Sequence, residues 1–373
     1  MVGMFTVQML LEQQKGNIAL TVLSSLEKIF PNSQVVRSQI ALAYYNLRDY
    51  HNAQEIFERN HLDDPYRLEN LDVYSNILYV KEKRAELSHL AHTCVKVDKF
   101  RPETCCIIGN YYSLKGQHEK AVINFQRALK VDRKYLPAWT LMGHEYVELR
   151  NTAAAVQCYR QAVEVNRCDY RAWYGLGQTY EMLHLHLYSL HYYKRAATLR
   201  PIDARMWCAV GNCLSRLTFG GVHSTSLNPI YSREMSLNAK REAIEAYKRA
   251  VACEDSEGLA TRELARLYRD LGDNIKAAEY YQRHVYDRLD IKYDEKNLNN
   301  MTNEIEFFQQ NDNLVIDSDI AEGLLFLANT AYHNSDYLTA ETYCLKLLDY
   351  RGPESADAKN ILKNIRRTTL NST

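Results

Sequence analysis

His184, His186 and His191 stand close together in this sequence, and three imidazoles on one face could hold a metal ion. On a helix His184 and His191, seven residues apart, share a face that His186 does not join, so the spacing predicts no metal site. Cys105 and Cys106 are neighbours that point in different directions, which suits neither a ligand pair nor an unstrained bridge. The nine cysteines are odd in number and contain no CxxC pair, which predicts reduced thiols and a place in the nucleus and cytoplasm. GxGxxG, a GKS or GKT phosphate loop and HExxH are all absent, and no pair of carboxylates stands out from ordinary solvated helix faces. The expectation is a chain with no catalytic residue, no metal and no cofactor.

What remains is recognition by polar side chains. Asn110, Ser113, His144, Glu148, Arg171, Tyr174, Gln178, Glu181, Arg205, Asn212 and Arg216 recur at a few fixed positions of a repeat. Amides of this kind meet the backbone of an extended peptide, while charges and rings meet its side chains. Glu148 and Glu181 would take a basic side chain, and Arg171, Arg205 and Arg216 a carboxylate.

The elements that must position them are helical hairpins. One phrase occurs three times: Cys105-x2-Ile108-Gly109-x2-Tyr112, Trp139-x2-Met142-Gly143-x2-Tyr146 and Trp173-x2-Leu176-Gly177-x2-Tyr180. A second follows each: Ala121-x3-Phe125-x2-Ala128, Ala155-x3-Tyr159-x2-Ala162 and Ser189-x3-Tyr193-x2-Ala196. The glycines fall 34 residues apart, and period and residue types resemble the tetratricopeptide repeat. If the glycine is position eight, positions four, seven, eight and eleven share a face of one helix, and positions 20, 24 and 27 a face of a second. Bulky residues at four, eleven and 24 fill the space between the helices, and small ones let the backbones approach. Trp173 is thus expected in the core, its truncation to alanine costing about 3–5 kcal/mol. A lone hairpin cannot bury its face, so neighbours stack. The fold class is all-α: a right-handed superhelical solenoid of about nine hairpins plus a C-terminal capping helix.

Carried backwards, the grid places Ser75, Ala41 and Val7 at position eight and Leu87, Ala53 and Ala19 at position 20, so six units run to about residue 203. Residues 1–101 are N-terminal repeats with Phe5, Met9 and Leu10 as a candidate docking or dimer face, and 102–217 carry the groove. Repeat seven starts at Trp207, but its small residue comes late, at Ala243, so residues 218–240 are read as an inserted mobile loop with Ser224, Thr225 and Ser226 as candidate phosphorylation sites. Later repeats occupy 241–286, an irregular Asn-rich linker 287–317, and a last repeat and capping helix 318–373, frayed from Thr368.

Lysine plus arginine equals aspartate plus glutamate at 46 each, so nothing asks for nucleic acid or an anionic membrane. Met1 to Leu11 lacks a basic leader and a cleavage signature and reads as a helix, and no run approaches the ~18 apolar residues of a membrane span.

The words YSNILYV (74–80), ELSHLAH (86–92), CCIIGNYY (105–112), TLMGHEY (140–146) and RAWYGLGQTYE (171–181) are not fixed by the repeat pattern. They closely resemble the subunit-eight family of the anaphase-promoting complex, or cyclosome, most specifically from Leu71 to Cys213 and weakly after that. The resemblance implies a non-catalytic scaffold in a multi-subunit ubiquitin ligase of mitosis. It implies partners among the other subunits, dimerisation through N-terminal repeats, and a groove that receives a short basic-apolar motif of an activator subunit. Tyr174, Gln178 and Glu181 lie in the matching words and take that groove role. Family members carry further repeats upstream, so dimerisation is lost or rebuilt from residues 1–100. The alternative is an adaptor or co-chaperone that clamps peptide carboxylates with lysine and asparagine, but His144 and Gln178 interrupt the asparagines at position nine. A glycosyltransferase built on repeats would need a catalytic domain for which no segment remains.

Overall fold

The computed structural model describes residues 2–13, 15–31, 33–219, 229–253, 255, 258–289, 316–348 and 350–372. Among these residues every regular element is a helix, and the chain forms two units, Met1–Arg200 and Pro201–Thr373. The first unit holds six hairpins: α1 (Val2–Glu12) with α2 (Gly16–Ile29), α3 (Gln34–Leu47) with α4 (Tyr50–Asp63), α5 (Leu71–Val80) with α6 (Arg84–Val97), α7 (Pro102–Leu114) with α8 (His118–Val131), α9 (Leu136–Glu148) with α10 (Thr152–Val165), and α11 (Tyr170–Met182) with α12 (His186–Leu199). The second holds α13 (Ala204–Phe219) with α14 (Pro229–Ala252), α15 (Leu259–Asp270) with α16 (Asn274–Arg288), α17 (Ser318–His333) with α18 (Tyr337–Leu348), and a final α19 (Glu354–Ser372). Within each unit consecutive helices pack on one another, so each second helix lies between its own first helix and that of the next hairpin where one follows.

The turn inside each hairpin repeats as strictly as the core. Arg48, Glu82, Gly116, Arg150 and His184, 34 residues apart, have φ of 66°, 54°, 72°, 57° and 58°. The residue after each returns its N–H to the carbonyl of Tyr44, Leu78, Tyr112, Tyr146 or Tyr180 at 2.8–3.0 Å, which closes the first helix. Asp49 and Asn151 then cap the second helix, each accepting an N–H three residues on at 3.2 Å. His184 therefore stands in a turn, not on a helix face with His191.

Between the helices a glycine meets an aromatic ring. A Cβ added to Gly143, Gly177 or Gly211 would stand 2.6, 2.5 or 2.6 Å from the ring of Tyr159, Tyr193 or Tyr247, and Gly109 is equally close to Phe125. Phe125, Tyr159 and Tyr247 are wholly buried. Repeat three departs from this in a compensated way. Its position 24 is Ala91, and a larger Leu87 at position 20, 0% exposed, joins the same core cluster.

Three expectations change. Trp173 is half-buried rather than enclosed, its Nε1–H donating to Arg167 O at 2.9 Å, so truncating it removes less buried area than expected. Residues 229–240, expected in the inserted loop, form the first half of the 24-residue α14, because Pro229 opens a run of good helix formers. Residues 368–372, expected to fray, continue α19, whose Ala358, Ile361, Leu362 and Ile365 are buried. Ser224, Thr225 and Ser226 and most of the 287–317 linker lie outside the described residues.

Gly177→Ala is expected to destabilise the chain by about 1–3 kcal/mol in urea melts, because overpacking against Tyr193 outweighs the ~1 kcal/mol gained in helix propensity. A neutral or stabilising result would show that the ring moves aside.

Candidate peptide groove

The first helices of the hairpins line one face of the first unit. Side chains from α1, α3, α5, α9 and α11, among them Tyr45, Asn70, Leu136 and Arg171, surround a cavity of about 390 Å³. The buried tyrosines of the second helices reach through to the first-helix side. Tyr159 Oη lies 2.9 Å from His144 Nδ1, and Tyr193 Oη donates to Glu181 Oε2 at 2.8 Å. In the second unit Tyr247 Oη donates to Asn212 Oδ1 at 2.6 Å and Tyr281 Oη to Glu322 Oε1 at 3.2 Å. Each ring therefore packs the core while its hydroxyl fixes a polar side chain that sequence reasoning assigned to binding, Glu322 excepted. Burial raises the phenols of Tyr159, Tyr247 and Tyr281, so they stay protonated and donate.

His144 is reached by solvent yet walled in by the first-helix face. Burial, and then the charge of Arg171, lower its pKa from 6.5 to about 4. At neutral pH the ring is uncharged and shares a hydrogen bond with the Tyr159 hydroxyl through Nδ1. Glu148 and Gln178 are exposed, and Tyr174 is half-buried with its ring 5.2 Å from that of Tyr193. Arg205 and Arg216 are exposed in the second unit, and Arg205 Nε lies 3.7 Å from Asp203.

Three predicted binding residues, Asn110, Arg171 and Ser113, are engaged within the protein. Asn110, 2% exposed, donates to Ser75 Oγ at 2.8 Å and Asn76 Oδ1 at 2.7 Å, tying hairpin four to hairpin three. A carboxylate clamp built on position-nine asparagines loses this amide. Arg171 lies over the Tyr45 ring at 5.0 Å. Burial works against its charge, but Tyr45, Asp169 and Tyr170 outweigh that and raise its pKa. It belongs to a bracket across the first unit, in which Tyr170 Oη accepts from Arg200 Nη1 at 2.8 Å and Arg48 Nη2 at 3.4 Å, while Arg200 Nη2 donates to Asn46 O. Ser113 is also buried, donating to Glu145 Oε1 at 2.7 Å.

Sequence reasoning missed Glu145, 5% exposed, which His118 Nδ1 meets at 2.9 Å from the neighbouring hairpin. It also missed the link between hairpins eight and nine, where Arg266 and Arg269 converge on Glu322. Burial pushes the Glu322 carboxyl up, but the two arginines outweigh it and hold it below its ordinary value. A carboxylate at the fifth position of α17 carries no signal of its own. Among the described residues no group of three histidines, cysteines or acids is placed to hold a metal ion, and none of the nine cysteines is in a disulfide.

The lowered His144 pKa has a defined sign. The unfolded chain binds this proton between pH 6.5 and about 4 and the folded chain does not, so stability falls as pH drops through that window. His144→Gln is expected to flatten the dependence of the melting temperature on pH there. An unchanged slope would place the titration elsewhere.

Tetratricopeptide-repeat family models match residues 140–186 and 234–292, and 36–59 and 102–135. Anaphase-promoting complex subunit 8 of Arabidopsis thaliana is 50% identical over 341 residues, which is 91% of this chain and 52% of that protein. Anaphase-promoting complex subunit 8 of Dictyostelium discoideum is 48% identical over 362 residues, 97% of this chain and 54% of the relative. The chain thus spans about half the length of the curated relatives it matches. The alignment with the Dictyostelium relative spans 362 of the 373 residues and so extends past Cys213. The solved structure of the APC/C hetero-tetramer Cut9-Hcn1 covers 93% of this chain and shares its fold, at a TM-score of 0.58 and 16% identity over 59% of that chain. Tetratricopeptide repeats are thus recognised along the chain, and alignment with subunit 8 of the anaphase-promoting complex extends over nearly its whole length.

Proposed function

We propose that the chain serves as a non-catalytic scaffold of the anaphase-promoting complex, a ubiquitin ligase of the nucleus and cytoplasm, and that its first-helix face receives a short basic-apolar motif from an activator subunit. The observation that carries this reading is near-50% identity to subunit 8 sequences along 91% and 97% of the chain. Geometry supports the groove role. Glu181 is half-buried on α11 and its carboxylate is oriented by Tyr193, beside the half-buried Tyr174 and the exposed Gln178. A carboxylate fixed by a buried phenol meets a lysine or arginine without losing much side-chain entropy, and the neighbouring ring and amide serve the apolar and backbone parts of such a motif. Phe5 and Met9, 72% and 54% exposed on α1, support the further proposal of self-association through the first hairpins.

Two measurements test this. A pull-down from mitotic extract should recover other subunits of the ligase, and recovery of chaperone tails alone would overturn the reading. Glu181→Arg is expected to weaken binding of an activator-derived basic-apolar peptide by about tenfold, ~1.4 kcal/mol, with helicity by circular dichroism unchanged. Equal affinity would remove Glu181 from the site.

A further inference from the structure

Position four of the repeat is tryptophan in hairpins five, six and seven. Trp139, Trp173 and Trp207 each donate Nε1–H to the carbonyl six residues earlier, Arg133 O, Arg167 O and Pro201 O, at 2.9, 2.9 and 2.8 Å. In hairpins six and seven an arginine at position 26 lies over the indole, Arg195 at 5.9 Å from Trp173 and Arg249 at 4.9 Å from Trp207. Ring, carbonyl and guanidinium form one unit of the seam between hairpins.

Hairpin four keeps two of the three parts. Arg127 stands at position 26, and Lys99 supplies the carbonyl, but the residue at position four is Cys105, whose Sγ is 3.9 Å from Lys99 O. A thiol is a weak donor and far smaller than an indole. Where the ring would lie, a cavity of about 950 Å³ opens between α6 and α8 over α7, lined by Cys105, Ile108, Asn124 and Arg127. That is within the ~300–1,000 Å³ of ordinary binding pockets. Lys96, Lys99, Lys120 and Lys130 add four charges to Arg127 around it, and none of the residues that line it is an aspartate or glutamate. In a chain of zero formal net charge this is a local segregation of positive charge over an apolar floor. The exposed Ile123 and Val131, 49% and 58%, extend the floor to the surface.

We propose that this vacant tryptophan socket receives a tryptophan from an acidic partner segment. The incoming indole takes the place of the absent ring: its N–H donates to Lys99 O, its face lies under Arg127, and flanking carboxylates meet Lys96, Lys120 and Lys130. Cation–π stacking and a hydrogen bond fix the anchor, while the lysines select the charge of the segment. The socket lies between second helices, so it stands independently of the first-helix groove proposed above.

The test uses the full chain and a fluorescent eight-residue peptide of aspartate, glutamate and leucine around one central tryptophan, read by polarisation. The peptide should bind, and replacing its tryptophan by alanine should weaken binding by about tenfold or more, as for a buried aromatic anchor. Cys105→Trp supplies the missing ring in cis and should abolish binding while keeping a cooperative melt. A folded Cys105→Trp chain that binds as well as the original overturns the proposal, as does equal binding of the tryptophan-free peptide, which would reduce the groove to a general anion surface. Should Cys105→Trp not fold, Lys120→Glu with Lys130→Glu decides, since both are exposed: binding weakened by about tenfold supports the socket and unchanged binding overturns it.

Discussion

The contact between a glycine on the first helix and an aromatic ring on the second sets the distance between the two backbones in hairpins four to seven. Gly109, Gly143, Gly177 and Gly211 leave no room for even a methyl group against Phe125, Tyr159, Tyr193 and Tyr247. Close packing of this kind transmits position, because interiors do not yield by ångströms without cost. Once the ring lies flat on the glycine, the face of each helix that points to its neighbour is decided, and so is the register at which the next hairpin docks. Tyr159 shows this directly, since its ring is held by Gly143 of its own hairpin and by Gly175 of the next.

The same rings decide what the first-helix face offers. A phenylalanine at this place ends in the core, whereas a tyrosine carries a hydroxyl out of it. In hairpins five and seven the hydroxyl takes the position-nine residue, His144 or Asn212. Phe125 has none to give, and Asn110 at the equivalent place turns to Ser75 and Asn76 of the previous hairpin. In hairpin six the Tyr193 hydroxyl goes to Glu181, and Gln178 at position nine is exposed. A single oxygen atom in the core thus decides whether a position-nine side chain is held by its own hairpin or reaches the previous one.

This explains what the sequence made legible. The glycines, tyrosines and small residues at positions 20 and 27 were readable because burial on one helix face imposes a 3.6-residue period and stacking imposes the longer one. Hairpin count, Leu87 as the odd residue of repeat three, and the capping role of Ala358 to Ile365 follow from those two periods. The fate of Asn110 was not readable, since it depends on whether a residue fifteen places later bears a hydroxyl. Nor were the turns of the first unit, where arginine, glutamate and histidine adopt the left-handed conformation that glycine marks at Gly116. Residues 229–240 misled because a late small residue at Ala243 looks the same whether the insertion is a loop or extra helix.

The bracket of Arg48, Tyr170, Arg171 and Arg200 is the least local feature and has the widest effect. Tyr170 is 122 residues from Arg48, so no window of sequence contains both. Its phenol is surrounded by three arginines, and although burial pushes its pKa up, their charges outweigh it and lower it. Arginine suits this role because its planar fork stacks on a ring and donates at the same time, as Arg200 does over Tyr170 at 4.8 Å while bonding its hydroxyl. By tying hairpin two to hairpin six the bracket limits how far the first unit can unwind. The cation that sequence alone would give to a ligand is therefore held within the first unit, between the rings of Tyr45 and Tyr170.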